Sequence, residues 1–100
     1  MSDAIYTNIE IKERLEPVFR SYGVKRAVLF GSYSKGTATG SSDVDLFVDS
    51  GLRGLSFVGL MEDTREALDK EIDMFDETHI TEGSLVDQEI QKTGQVVYAQ

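Results

Sequence analysis

Ala27-Val28-Leu29-Phe30-Gly31-Ser32, ten further residues, and then Asp43-Val44-Asp45-Leu46-Phe47-Val48 form the stretch that decides the fold. The first apolar run is short and ends in a glycine and a serine. A strand that stops in a small-residue turn can present backbone N–H groups to a phosphate. The second run alternates: Val44, Leu46 and Val48 take one face of a strand, while Asp43, Asp45, Phe47 and Asp49 take the other. Asp43 and Asp45 therefore share a side, about 7 Å apart along the backbone. Two carboxylates that close repel, and a bound dication reverses the sign of that interaction. An isolated Asp-x-Asp is more often a solvated strand face. This one opens a strand whose other face is wholly apolar, and it follows a Gly-Ser turn. The combination describes a site for a metal-bound nucleoside triphosphate.

Outward from this centre the chain alternates helices and strands. Upstream, Ile5, Ile9, Ile11, Leu15, Val18, Phe19 and Tyr22 recur with helical spacing. Pro17 lies inside that pattern and either kinks the helix or opens a second short turn; Gly23 stops it. Lys25 to Phe30 reads as the first strand, Gly31 to Ser42 as a loop with room for one helical turn, and Asp43 to Asp49 as the second strand. After the turn at 50–54, Leu55 to Lys70 reads as a helix. Its inner side is predicted to carry Leu55, Val58, Leu60, Met61, Thr64, Ala67 and Leu68. Glu71 to Asp76 is a third strand. Ser84 caps a helix from Leu85 to Thr93, with Leu85, Val86 and Ile90 facing inward. Gln95 to Ala99 is either a last short strand or an apolar tail. Elements in this order predict an α/β (α+β) fold, a mixed β-sheet flanked by helices, as one domain over residues 1–100.

A chain of 100 residues can bury about two-thirds of its unfolded surface, enough for an independent core. It has no cysteine, which excludes disulfides and thiolate metal sites. No segment approaches the roughly 20 apolar residues of a membrane span, and the first residues show no basic region followed by an apolar run. These features predict a soluble, cytoplasmic protein without a membrane partner. The net charge of −8 disfavours direct binding to duplex nucleic acid, which depends on counterion release by basic residues. It does not exclude a nucleotide, because carboxylates attract the metal that accompanies a triphosphate. It also suits a basic protein partner.

Metal chemistry on phosphates usually needs a third carboxylate, and Asp73 is the candidate. It stands between Ile72 and Met74 in the same apolar-Asp-apolar pattern as Asp45. If the third strand pairs beside the second, Asp73 reaches the same pocket. Glu71 shares its face at the strand's start, and Asp76 points the other way. Gly31 can take a positive φ and lets a phosphate approach the backbone. Ser32 offers a hydroxyl and an N–H, and Lys35 a positive charge. His79, the only histidine, reads as an ordinary loop residue. Phe47 reads as core filling, with packing beneath a base as the rival. Tyr33 is placed at the surface or against a ribose.

Phe30-Gly31-Ser32-Tyr33-Ser34-Lys35-Gly36 followed by Ser42-Asp43-Val44-Asp45-Leu46 resembles the signature of the DNA polymerase β-like nucleotidyltransferase superfamily. The chain looks like its smallest branch, the minimal (MNT-type) nucleotidyltransferases, over nearly its whole length. The resemblance implies that Asp43 and Asp45 bind two Mg²⁺ ions and that Asp73 completes the catalytic metal site and helps to activate the attacking hydroxyl. It implies that Ser32 and the backbone beside Gly31 bind the triphosphate of ATP or another NTP. Many relatives carry Ala-Arg-Gly where this chain has Ser34-Lys35-Gly36; lysine keeps the charge but loses the bidentate fork. Larger relatives hold their acceptors with extra domains, so the expected acceptor is a partner protein. Members of the branch are often antitoxins paired with a HEPN-domain toxin, which some of them AMPylate. Two rival expectations stand beside this one: a module that neutralises a toxin by contact alone, and a small-molecule nucleotidyltransferase completed by homo-oligomerisation.

Overall fold

The computed structural model describes residues 4–100, so the part of the N-terminal reading that rests on Met1, Ser2 and Asp3 lies outside the described residues. Helix α1 spans Asn8–Ser21, strand β1 Arg26–Phe30, helix α2 Ser32–Lys35 and strand β2 Val44–Asp49. Helix α3 spans Leu55–Leu68, strand β3 Ile72–Asp76, helix α4 Leu85–Thr93 and strand β4 Gln95–Ala99, with a 3-10 turn at Glu77–His79. The four strands form one sheet in the order β3-β2-β1-β4. β1 is antiparallel to both β2 and β4, whereas β2 and β3 are parallel. Parallel neighbours need a crossover, and α3 supplies it. The predicted mixed sheet with flanking helices is therefore present, and the C-terminal run is its fourth strand.

One face of the sheet is the core. Ile11, Leu15 and Phe19 of α1 and Phe57, Leu60, Thr64 and Leu68 of α3 are buried against it. The sheet contributes Ala27, Leu29, Val44, Leu46, Val48, Ile72 and Met74. Full burial of one such aliphatic or aromatic side chain stabilises by roughly 1.5–3 kcal/mol. The residues between them point the other way, and that outer face carries the carboxylates. α1 begins in a capping box: Thr7 accepts the Glu10 N–H through its hydroxyl, and Glu10 accepts the Thr7 N–H at 2.9 Å.

Several expectations shift. α1 runs through Pro17 as one element, because Pro17 and Glu13 are both exposed and the carbonyl left without a helical donor lies on the wet side. Leu55 is 88% exposed and Val58 49%, and Phe57 takes the buried place. The helical phase explains this. A residue five positions before Leu60 is turned about 140° from it, whereas one three positions before shares its stripe. Ile5, Ile9 and Leu85 are exposed, and no residue of α4 is fully buried, because that helix rests on the outer side of β1 rather than between two layers. Tyr33 is buried rather than at the surface, which removes its ring from any ribose contact. Lys70 is buried beyond the end of α3, which stops at an αL Asp69 (φ 51°). No helix among the described residues is long and apolar enough to cross a membrane.

Candidate active site

The parallel pairing of β2 and β3 is what assembles the site. Its register sets Asp45 opposite Asp73, with Val44 opposite Ile72 and Leu46 opposite Met74. Both aspartates occupy the outer face, on strands about 4.8 Å apart. Asp43 is exposed one residue before β2, two positions from Asp45, and its charge is felt there. The Asp45 carboxyl is pushed up to about 6, first by burial, then by the charges of Asp73 and Asp43. A hydrogen bond with Asp73 and the charge of Glu89 add to the shift. Asp73 is thus gathered beside Asp45. Glu71 is not: it precedes β3, and Arg65 Nε lies 3.8 Å from its carboxylate. Asp76, on the core face as the alternation requires, is structural. Its Oδ1 accepts the Ser50 N–H at 3.1 Å and the Ser50 hydroxyl at 2.5 Å, and its Oδ2 accepts the Thr78 N–H at 3.2 Å.

The third edge of the site is the turn after β1. Phe30 pairs with Asp45, so Gly31 emerges beside that carboxylate. Its backbone sits at φ 75°, ψ −148°, a region that side chains disfavour. A Cβ there would lie 2.3 Å from Asp45 Oδ2. Glycine is needed twice, for the backbone and for the space. The Gly31 N–H is already given to Thr93 Oγ1 at 3.1 Å, so its contribution is a missing side chain rather than a free donor. Ser32 starts the single turn of α2, half-buried, and its hydroxyl has no hydrogen-bond partner among the described residues. The turn is closed by Lys35 N–H to Gly31 C=O and Thr37 N–H to Ser32 C=O, both 3.0 Å. Lys35 is engaged: its Nζ lies 3.2 Å from Glu89 Oε1 on α4.

Three contributors were not read from the sequence. Thr93 and Glu89 come from α4, where nothing in the pattern says which strand the helix covers. Lys70 donates from Nζ to the Gly40 carbonyl at 2.7 Å and so pins the loop that delivers Asp43. His79 is the ordinary residue expected: its Nδ1 accepts the Asp76 N–H at 3.2 Å, and its ring stands edge-on to Phe57 at 5.2 Å. Phe47 is half-buried one step along β2 from Asp45, in an open cleft of about 390 Å³ shared with Ile80 and Ile90. A larger hollow of about 560 Å³ between α1 and β4 lies apart from the carboxylates.

The donor set suits a hard dication. It offers carboxylate oxygens, with two acidic side chains abutting and the proton affinity of one raised by the other. Among the described residues no three His, Cys, Asp or Glu side chains are already closed around a single point. Asp45 and Asp73 form the fixed part, and Asp43 stands at the mouth.

The family model described as Polymerase beta, Nucleotidyltransferase matches residues 13–100. A candidate protein adenylyltransferase of Methanocaldococcus jannaschii is 39% identical over 67 residues, covering 65% of this chain and 72% of that protein. Among solved structures, a toxin–antitoxin complex with AMP-PNP superposes with a TM-score of 0.75 at 24% identity, over 89% of this chain and 73% of the other. The MNT antitoxin complex with tri-AMPylated HEPN toxin from Shewanella oneidensis gives 0.70 at 19% identity, over 94% and 74%. At these identities the structural likenesses establish the fold.

Proposed function

The chain belongs to the polymerase β-type nucleotidyltransferases, and from that premise we propose that it transfers AMP from ATP to a hydroxyl of a partner protein, as the antitoxin of a toxin–antitoxin pair. The observation that carries this reading is the in-register pair of Asp45 and Asp73 beside Gly31. A nucleotide site has no structural use for two repelling carboxylates unless a cation comes with the ligand. The nature of the acceptor and of the nucleotide is supported by the relatives: one is a candidate protein adenylyltransferase, another holds AMP-PNP, and a third accompanies an AMPylated HEPN toxin.

Asp43 and Asp45 would hold two Mg²⁺ ions, with Asp73 completing the catalytic one. When bound, the ions would neutralise charge on the attacking and leaving oxygens of an in-line displacement. The chain's own work is the rest. Asp73 receives the proton of the acceptor hydroxyl, whose oxygen then bonds to the α-phosphorus as the bond to pyrophosphate breaks. Ser32 and the first amides of α2 face the phosphates. Gly31 lets the triphosphate and Asp45 approach each other, which a methyl group would prevent.

The test is incubation with labelled ATP, Mg²⁺ and the product of the neighbouring gene. Label should move to that protein and disappear with Asp43→Asn/Asp45→Asn. Full neutralisation of the partner by that double variant would instead make contact the mechanism. Transfer to a small hydroxyl compound without any partner would favour the small-molecule reading.

A further inference from the structure

α4 grips the phosphate-side turn at two places. Thr93 Oγ1 accepts the Gly31 N–H at 3.1 Å, and the Thr93 carbonyl accepts the Ser34 hydroxyl. One helical turn earlier, Glu89 Oε1 holds Lys35 Nζ at 3.2 Å. Glu89 and Thr93 are four residues apart and so share one helix face. Glu89 is also close enough for its charge to act on Asp45. The acidic site therefore has a carboxylate at its rim whose direct partner is the one lysine of the Gly31–Lys35 turn. Both side chains are partly exposed, 49% for Lys35 and 36% for Glu89, so the pair is cheap to open.

We propose that Glu89 is a positioning residue that sets triphosphate affinity through Lys35. Glu89 keeps Lys35 in reserve, and an arriving polyphosphate must take the ammonium from Glu89 before Lys35 contributes to binding. Thr93 keeps the turn docked so that Lys35, once released by Glu89, stands where the polyphosphate arrives. This inference rests on the nucleotide site proposed above and adds a residue from outside the motif.

The test is a double-mutant cycle read by calorimetry, with Mg²⁺ and α,β-methylene-ATP as the probe. Glu89→Gln should tighten the probe by about threefold, the scale of releasing one exposed ion pair. Lys35→Met should weaken it, and Glu89→Gln added to Lys35→Met should change nothing beyond twofold. Thr93→Val should weaken the probe and Thr93→Ser should restore it, which general loss of packing would not do. Equal tightening by Glu89→Gln in both backgrounds would mean through-space repulsion and overturn the role of Lys35. Weakening by Glu89→Gln would make Glu89 a cation ligand and overturn it as well. Absence of probe binding by the wild-type chain overturns the nucleotide site itself, an outcome distinct from a cycle that fails on a chain that binds.

Discussion

Gly31→Ala tests the geometry of the site with a single methyl group. The added Cβ would sit 2.3 Å from Asp45 Oδ2 and 3.3 Å from Asp45 Cγ, so the carboxylate has to retreat by about 1 Å to reach ordinary contact. The backbone at φ 75°, ψ −148° adds strain of about 1–3 kcal/mol, and overpacking adds about 1–3 kcal/mol more, less whatever Asp45 relieves by swinging away. A net loss near 3 kcal/mol lowers the Tm of a domain of this size by roughly 12–24 °C. Gly36→Ala is the internal control. Gly36 has a similar φ of 76°, yet nothing lies within 4 Å of its added Cβ, so only the αL cost of about 1–2 kcal/mol applies. Thermal unfolding by circular dichroism gives the stability difference, and calorimetry with Mg²⁺ and α,β-methylene-ATP gives the affinity. Gly31→Ala should lose more than tenfold in affinity, while Gly36→Ala stays near wild type. A Gly31→Ala chain that binds the probe normally and melts with Gly36→Ala would refute the reasoning, because it would show that the position of Asp45 does not matter.

Asp45→Asn should stabilise the protein at pH 7.5. The raised carboxyl means that Asp45 contributes favourably only below its unfolded value near 3.8, and that contribution is lost as pH rises through about 6. After screening, the difference is about 1 kcal/mol, so the Tm gap between variant and wild type should close as pH falls to 4.5; a constant gap would assign it to packing instead. Asp76→Ala should cost about 2–3 kcal/mol in urea unfolding, because the buried Ser50 N–H and hydroxyl lose their acceptor. Burial alone would raise the Asp76 carboxyl, but bonds from Ser50 and Thr78 outweigh it and hold it low, so its contribution is present above pH 4 and fades as pH falls below that. Phe57→Ala should destabilise by about 3–5 kcal/mol, whereas Leu55→Ala, four-fifths or more exposed, should stay within about 0.5 kcal/mol; equal losses would restore the helix phase first expected from the sequence.

The period-two alternation around Val44 made half of the site legible. Strand parity placed Asp45 on the outer face, and the matching pattern around Met74 placed Asp73 on the same face of its own strand. The pairing of the two strands was only a condition of that reading; the structure supplies it as a parallel register across a helix-length connection. The helical faces were less legible. Leu55 and Val58 are apolar enough to be assigned inward, but an amphipathic stripe has a phase, and two or three apolar residues outside it suffice to shift the reading by one position. Tyr33 was misplaced, and the burial of Lys70 went unread, for another reason. Burial of a tyrosine in a one-turn helix, or of a lysine against the Gly40 carbonyl, depends on contacts 29 and 30 residues away along the chain. Glu89 and Thr93 were invisible because they lie off the apolar stripe of α4, and the place of that helix over β1 is set by the whole sheet.

The arrangement also explains why the inner face of β2 is so apolar. Asp45 and Asp73 repel, and Gly31 occupies backbone that other residues avoid. Each of these weakens the unliganded site. Neither can relax by sliding the strands, since moving β2 by one residue would turn Val44, Leu46 and Val48 outward and three aspartates inward. The three valine and leucine side chains, all fully buried, therefore do more than fill the core: they lock the register that keeps the carboxylates side by side. The cost of that juxtaposition is confined to the outer face, where an arriving cation and triphosphate can reverse it without disturbing the packing beneath.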